Sequence, residues 1–141
     1  MAQNKQSPFI KGTITITLIV GLPGSGKTML ANDKVAKTGG IVIDDIKTRD
    51  DIIEAISEGY DYIYVTDPHL CRESVLTNAK NYIDTLEQTH TLECIFFKNN
   101  PEQCLKNVEA RNDGRDVKET IKRYTKIYRP PSNALDVWEP K

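Results

Sequence analysis

The chain has 141 residues, enough for one core-forming domain and too few for two of ordinary size. A hydrophobic fraction of 38% with 28% charged residues excludes the apolar-poor balance of disordered chains, and a net charge of −1 excludes a global basic field. Any nucleic-acid contact must therefore come from a local cluster of Lys and Arg. The three cysteines, Cys71, Cys94 and Cys104, are odd in number and lack CxxC spacing, which argues against a disulfide framework or a zinc knuckle.

The opening residues 1–12 are polar and lack the apolar core of a signal peptide, and no later apolar run approaches membrane-spanning length. They read as a tail on a cytoplasmic protein. Residues 13–20, TITITLIV, are almost all β-branched or aliphatic and run into a glycine-rich turn, the pattern of a buried parallel strand. Helix formers follow from Lys27 to about Lys37, and Gly39-Gly40 ends that helix. Residues 41–43, IVI, are a short strand stopping at Asp44-Asp45, and Thr48 can cap a helix through about Ser57 that Gly59 closes.

A third strand, YIYVT at 62–66, again ends on an acid, Asp67, before Pro68. Residues 71–88 carry Val75, Ala79, Tyr82 or Ile83, and Leu86 at helical spacing, and Leu92 to Phe97 make a fourth strand. Asn100-Pro101 starts a helix with Cys104, Leu105 and Val108 inward. Asn112-Asp113-Gly114 breaks the chain before a last helix with a stripe of Val117, Ile121, Tyr124 and Tyr128, which Pro130-Pro131 stops. This alternation predicts an α/β fold of the P-loop NTPase or kinase type at 13–131. The expected sheet is parallel and four-stranded, in order 2-3-1-4, with helices on both faces and a C-terminal tail at 132–141.

Ligands of such sheets bind at the carboxyl ends of the strands, where several reactive side chains converge. The strongest signal is Gly21-Leu22-Pro23-Gly24-Ser25-Gly26-Lys27-Thr28 between a strand and a helix, the setting a phosphate-binding loop requires. Backbone N–H groups of residues 24–28 would wrap a β-phosphate, Lys27 would bridge β and γ oxygens, Thr28 would offer a hydroxyl to Mg²⁺, and Met29 continues the cradle. Asp44 is placed to accept a proton from an attacking hydroxyl, unless the Asp44-Asp45 pair merely caps the next helix. Asp67 reads as a Mg²⁺-holding acid or else as a loop carboxylate. Arg111 and Arg115, around the turn, offer charge to a transferring phosphoryl group or are surface arginines. Trp138, Tyr124 and Tyr128 can stack on adenine or pack the tail down, the second being the commoner use. His69 can touch substrate, and no transition-metal site is evident.

With those residues assembled, Ile14 to Tyr128 resembles the kinase half of bacteriophage polynucleotide 5′-kinases and their P-loop kinase relatives. GLPGSGKT matches the family's loop, and Asp44-Asp45-Ile46-Lys47 matches the segment with its general base. The resemblance implies Asp44 as base, with Asp45 and Lys47 at the substrate; Lys47 stands where the family uses an arginine to hold a phosphate. Asp67-Pro68 resembles the acid after the third strand, and Arg111-Asn112-Asp113-Gly114-Arg115 has the spacing of the family's two-arginine lid. The chain departs between Asp44 and Asp67, where one short helix replaces a longer helical insertion.

The expectation is therefore ATP- and Mg²⁺-dependent phosphoryl transfer to a hydroxyl of a nucleic acid or nucleotide, ATP being favoured over GTP because no NKxD-like guanine reader is present. The alternatives are a kinase for a small metabolite or nucleoside monophosphate, and a nucleotide-dependent binding module without kinase activity.

Overall fold

The central strand forms where the sequence is most uniformly apolar. In the computed structural model, which describes residues 12–44, 50–111 and 117–140, β1 (Ile14–Val20) lies between β3 (Tyr62–Val65) and β4 (His90–Phe96), with β2 (Ile41–Ile43) outside β3. All pairings are parallel and the order is β2-β3-β1-β4, the expected 2-3-1-4. Having a neighbour on each side and cover on both faces, β1 keeps six of its seven residues buried.

The pleat of β1 divides the core. Ile14, Ile16, Leu18 and Val20 join a cluster with Ile52, Ala55 and Ile56 of α2 (Asp50–Ser57), Ile83 of α3 (Glu73–Asp84), Cys104 and Val108 of α4 (Pro101–Arg111), and Ile121 and Tyr124 of α5 (Lys118–Thr125). Ile19, with Tyr64 and Phe97, instead packs on Ala31 of α1 (Lys27–Thr38). Helices thus cover both faces, as expected. Gly39, at φ 77° in the left-handed region, closes α1 by donating its N–H to the Val35 carbonyl.

Several boundaries differ from the sequence reading, among them the end of α5, which stops at Thr125 before Tyr128. The helix expected over 71–88 is instead a 3₁₀ turn, Pro68–Cys71, then an extended Arg72 and α3. The Asp67 carboxylate accepts the His69 N–H and Pro68 fixes the first position, so a tight turn forms before the helix can start. At the other end Thr85 donates its hydroxyl to the Tyr82 carbonyl and the backbone tightens, releasing residues 85–88 from the helix. Strand β4 begins two residues earlier than its apolar run because Thr91 and Glu93 occupy its exposed face, and the pairing of Ile14 with His90 and Thr15 with Thr91 carries those polar residues into the ladder.

The chain after Pro131 is tied to the outer edge of β4. Leu135 bridges Phe97 in parallel, donating its N–H to Phe96 O and accepting from Lys98 N, both at 2.8 Å, and Val137 is buried in the main core. No helix among the described residues is long and apolar enough to cross a membrane.

Candidate functional site

The loop from β1 to α1 is shaped by two glycines. Gly24 and Gly26 have φ of 87° and 109°, a region that L side chains rarely adopt. A Cβ on Gly24 would lie 2.6 Å from the Cys104 carbonyl oxygen, so the loop rests directly on α4. Leu22 is fully buried in the core and anchors the loop, Pro23 is half-buried, and the Ser25 N–H donates to Leu22 O. The fully buried Ser25 hydroxyl has no hydrogen-bond partner among the described residues. Gly26 caps α1 without a side chain, and the helix has no acid in its first turn. Its leading N–H groups and the positive end of its dipole make this helix start suited to an anion.

Lys27 is buried, with its ammonium folded back across the loop to donate to Gly21 O at 2.8 Å and Leu22 O at 3.0 Å. Burial is the largest influence on it and pushes its pKa down to about 8, Arg111 pushing the same way while Cys71, Cys104 and Asp67 oppose. The two thiols are themselves raised by burial, to about 12 for Cys71 and about 11 for Cys104. At neutral pH both are uncharged thiols, and Asp67 is the remaining group that favours the charged form of Lys27.

The two strand-end acids converge through Thr66. Asp44 is exposed just past β2, and its Oδ1 accepts the buried Thr66 hydroxyl at 2.5 Å, while Thr66 N donates to Ile43 O. The next residue is Asp67, buried and capping the 3₁₀ turn. On that turn His69 hydrogen-bonds the Tyr124 hydroxyl through Nδ1, with the Arg123 guanidinium 5.8 Å from the Tyr124 ring centre, so α5 is fastened beside Asp67. Burial raises the Tyr124 pKa, opposed by Arg72 and Arg123.

Asp67 and Arg111 thus each lie within electrostatic reach of Lys27, and Asp44 sits one hydroxyl away from the Asp67 segment. Thr28 and Met29 are exposed on the first turn of α1. Asp45, Lys47 and Arg115 lie outside the described residues. No cluster of three or more His, Cys, Asp or Glu suited to a metal occurs among the described residues. Thr28 and Asp67 carry hard oxygen donors of the kind Mg²⁺ takes alongside water and phosphate oxygens.

Two features escaped the sequence reading. Thr66 looked like the last residue of a strand. Asn107, polar within the inward stripe beside Cys104 and Val108, is 6% exposed and donates through Nδ2 to Gly24 O at 2.8 Å and to Trp138 O at 2.7 Å. Its Oδ1 accepts from Gln103 Nε2, and Trp138 N donates to Ser25 O at 3.0 Å. A polar residue interrupting an apolar helical stripe was the available signal. Tyr128 adds a further clamp, its hydroxyl donating to Val20 O and Phe97 O at the ends of β1 and β4.

Asn107→Asp places a carboxylate against two carbonyl acceptors. The expected cost is about 2 kcal/mol, read as a fall of roughly 6–10 °C in the thermal midpoint of a chain this size. An unchanged midpoint would mean that the loop and the C-terminal segment do not depend on this side chain.

Fold and site together define a parallel α/β protein with a glycine-rich, anion-suited loop at the carboxyl end of its central strand. No family model matches the chain. It is 32% identical over 120 residues to uncharacterized protein R277 of Acanthamoeba polyphaga mimivirus, a match covering 80% of this chain and 85% of the viral protein. The chain belongs to the family of that viral protein.

Proposed function

We propose that the chain is a P-loop phosphotransferase that moves the γ-phosphoryl group of ATP to a hydroxyl of a nucleic acid or nucleotide. The observation that carries this reading is Lys27: a buried ammonium across a glycine loop, within electrostatic reach of a buried acid and of the arginine that ends α4. A lysine used only for structure has little reason to accept such burial, whereas one that meets phosphate oxygens gains a partner that restores its charge.

In this reading the N–H groups of residues 24–28 hold the β-phosphate, and Lys27 leaves the Gly21 and Leu22 carbonyls to bridge β and γ oxygens. Thr28 and Asp67 would hold Mg²⁺, which when bound would supply positive charge against the phosphates. Arg111, with Arg115 further along the chain, offsets charge that builds on the transferring group. Asp44, oriented by Thr66, takes the proton of the acceptor hydroxyl through its other oxygen. The acceptor oxygen forms a bond to the γ-phosphorus as the bond to the β–γ bridging oxygen breaks, and ADP departs. Asp45 and Lys47 follow Asp44 in the chain and serve the acceptor.

The test is transfer of labelled γ-phosphate from Mg-ATP, with a 5′-hydroxyl oligonucleotide, mononucleotides and water as parallel acceptors. Label on an oligonucleotide or nucleotide is the expected result. Label only as free phosphate, despite tight nucleotide binding, would move the protein to the class of nucleotide-dependent switches.

A further inference from the structure

Trp138 is the sole tryptophan of the chain, and its backbone is fixed from both sides by Ser25 O and Asn107 Nδ2. Val137, the residue before it, is buried in the main core. Trp138 itself nevertheless remains 41% exposed. Its Cβ lies 2.8 Å from the place a Cβ on Gly26 would take, so the indole is rooted against the last glycine of the loop. The buried Phe97 ring lies 3.8 Å from the same place, and Met29 is exposed on the first turn of α1.

A large aromatic side chain that merely pinned the C-terminal segment would be expected to turn inward, as Val137 does. Here the anchoring comes from Val137 and from backbone bonds, which leaves the indole face available. Phosphates held by the N–H groups around Gly26 would bring the rest of a nucleotide toward the side of the loop on which Trp138 stands. We infer that Trp138 is the base-binding platform of the site, stacking on the planar base of the bound nucleotide.

Stacking reads a π-face rather than a hydrogen-bond edge, so purine triphosphates bind alike and a polyphosphate without a base binds more weakly. The specificity of the loop for nucleotides over inorganic polyphosphate then depends on residues 135–138, far in sequence from the loop itself. This inference rests on the phosphate-loop reading above.

The full chain is titrated by calorimetry with Mg-ATP, Mg-GTP and magnesium tripolyphosphate while the emission of Trp138 is followed. Both nucleotides are expected to change the emission and tripolyphosphate to leave it unaltered. Trp138→Ala is expected to weaken ATP on the order of 10- to 100-fold with tripolyphosphate affinity kept, and Trp138→Phe to retain most of the ATP affinity. Equal losses for ATP and tripolyphosphate in Trp138→Ala would overturn the inference, because the residue would then only brace the loop. Equal affinity of the parent for ATP and tripolyphosphate, with unaltered emission, would overturn it while leaving the phosphate loop intact. Failure of the parent to bind any of the three would remove the phosphate-loop reading and this inference together.

Discussion

Lys27→Met is expected to weaken Mg-ATP on the order of 100-fold, the loss of charge-assisted hydrogen bonds of up to about 3 kcal/mol, without lowering the stability of the ligand-free fold. The second half of that expectation comes from burial. The fall of the Lys27 pKa from 10.5 to about 8 corresponds to about 3 kcal/mol of unfavourable burial in the charged form. An unbranched apolar side chain removes that cost, leaving two loop carbonyls without the ammonium as a partial offset. Calorimetric titration and thermal unfolding on the same samples check both halves. A large drop in midpoint accompanying the lost affinity would mean that Lys27 holds the loop together rather than waiting for a phosphate.

The same lowered pKa fixes the sign of two pH effects. Between pH 8 and 10.5 the folded chain has released the Lys27 proton while the unfolded chain retains it. This group therefore makes stability rise with pH across that window, and its cost is fully present below it. Comparison of the parent with Lys27→Met isolates the contribution, since other titrating groups cancel. Nucleotide affinity runs the other way: a triphosphate pairs with the charged form, so affinity declines as pH rises above about 8. Lys27→Arg, whose guanidinium stays charged, is expected to lose that decline.

The parts of the molecule written in contiguous residues were legible in the sequence. TITITLIV can only be a strand buried on both sides, and the parallel order followed from strands alternating with helices of modest length. The glycine loop was legible because its two left-handed positions admit little else. Polar contacts between distant residues were not. Asn107 reaches Gly24, 83 positions away, and nothing in its neighbours encodes that acceptor. The spacing of Cys71 and Cys104 assigns them no partner; their place beside Lys27 emerges only when the 3₁₀ turn and α4 close over the loop. The residues after Pro131 carried too few apolar positions to signal a strand, so their single bridge to Phe97 arises from tertiary docking.

Asp44→Asn is the substitution that separates chemistry from binding. The amide oxygen still accepts the Thr66 hydroxyl, so the end of β2 keeps its place against β3 and the change is confined to proton acceptance. Nucleotide affinity is expected to match the parent, because the loop, Lys27 and Asp67 are untouched. Phosphoryl transfer is expected to fall by about 100- to 10,000-fold, the range of a positioned general base. Single-turnover transfer to the acceptor found for the parent, measured beside an ATP-binding titration, reads the two effects separately. Thr66→Val supplies the complementary case: the carboxylate remains a base but loses its orienting hydrogen bond, so a smaller loss of transfer is expected. Transfer at the parent rate in Asp44→Asn would place the base elsewhere. If both affinity and transfer fell together, Asp44 would belong to the nucleotide site and not to the acceptor side.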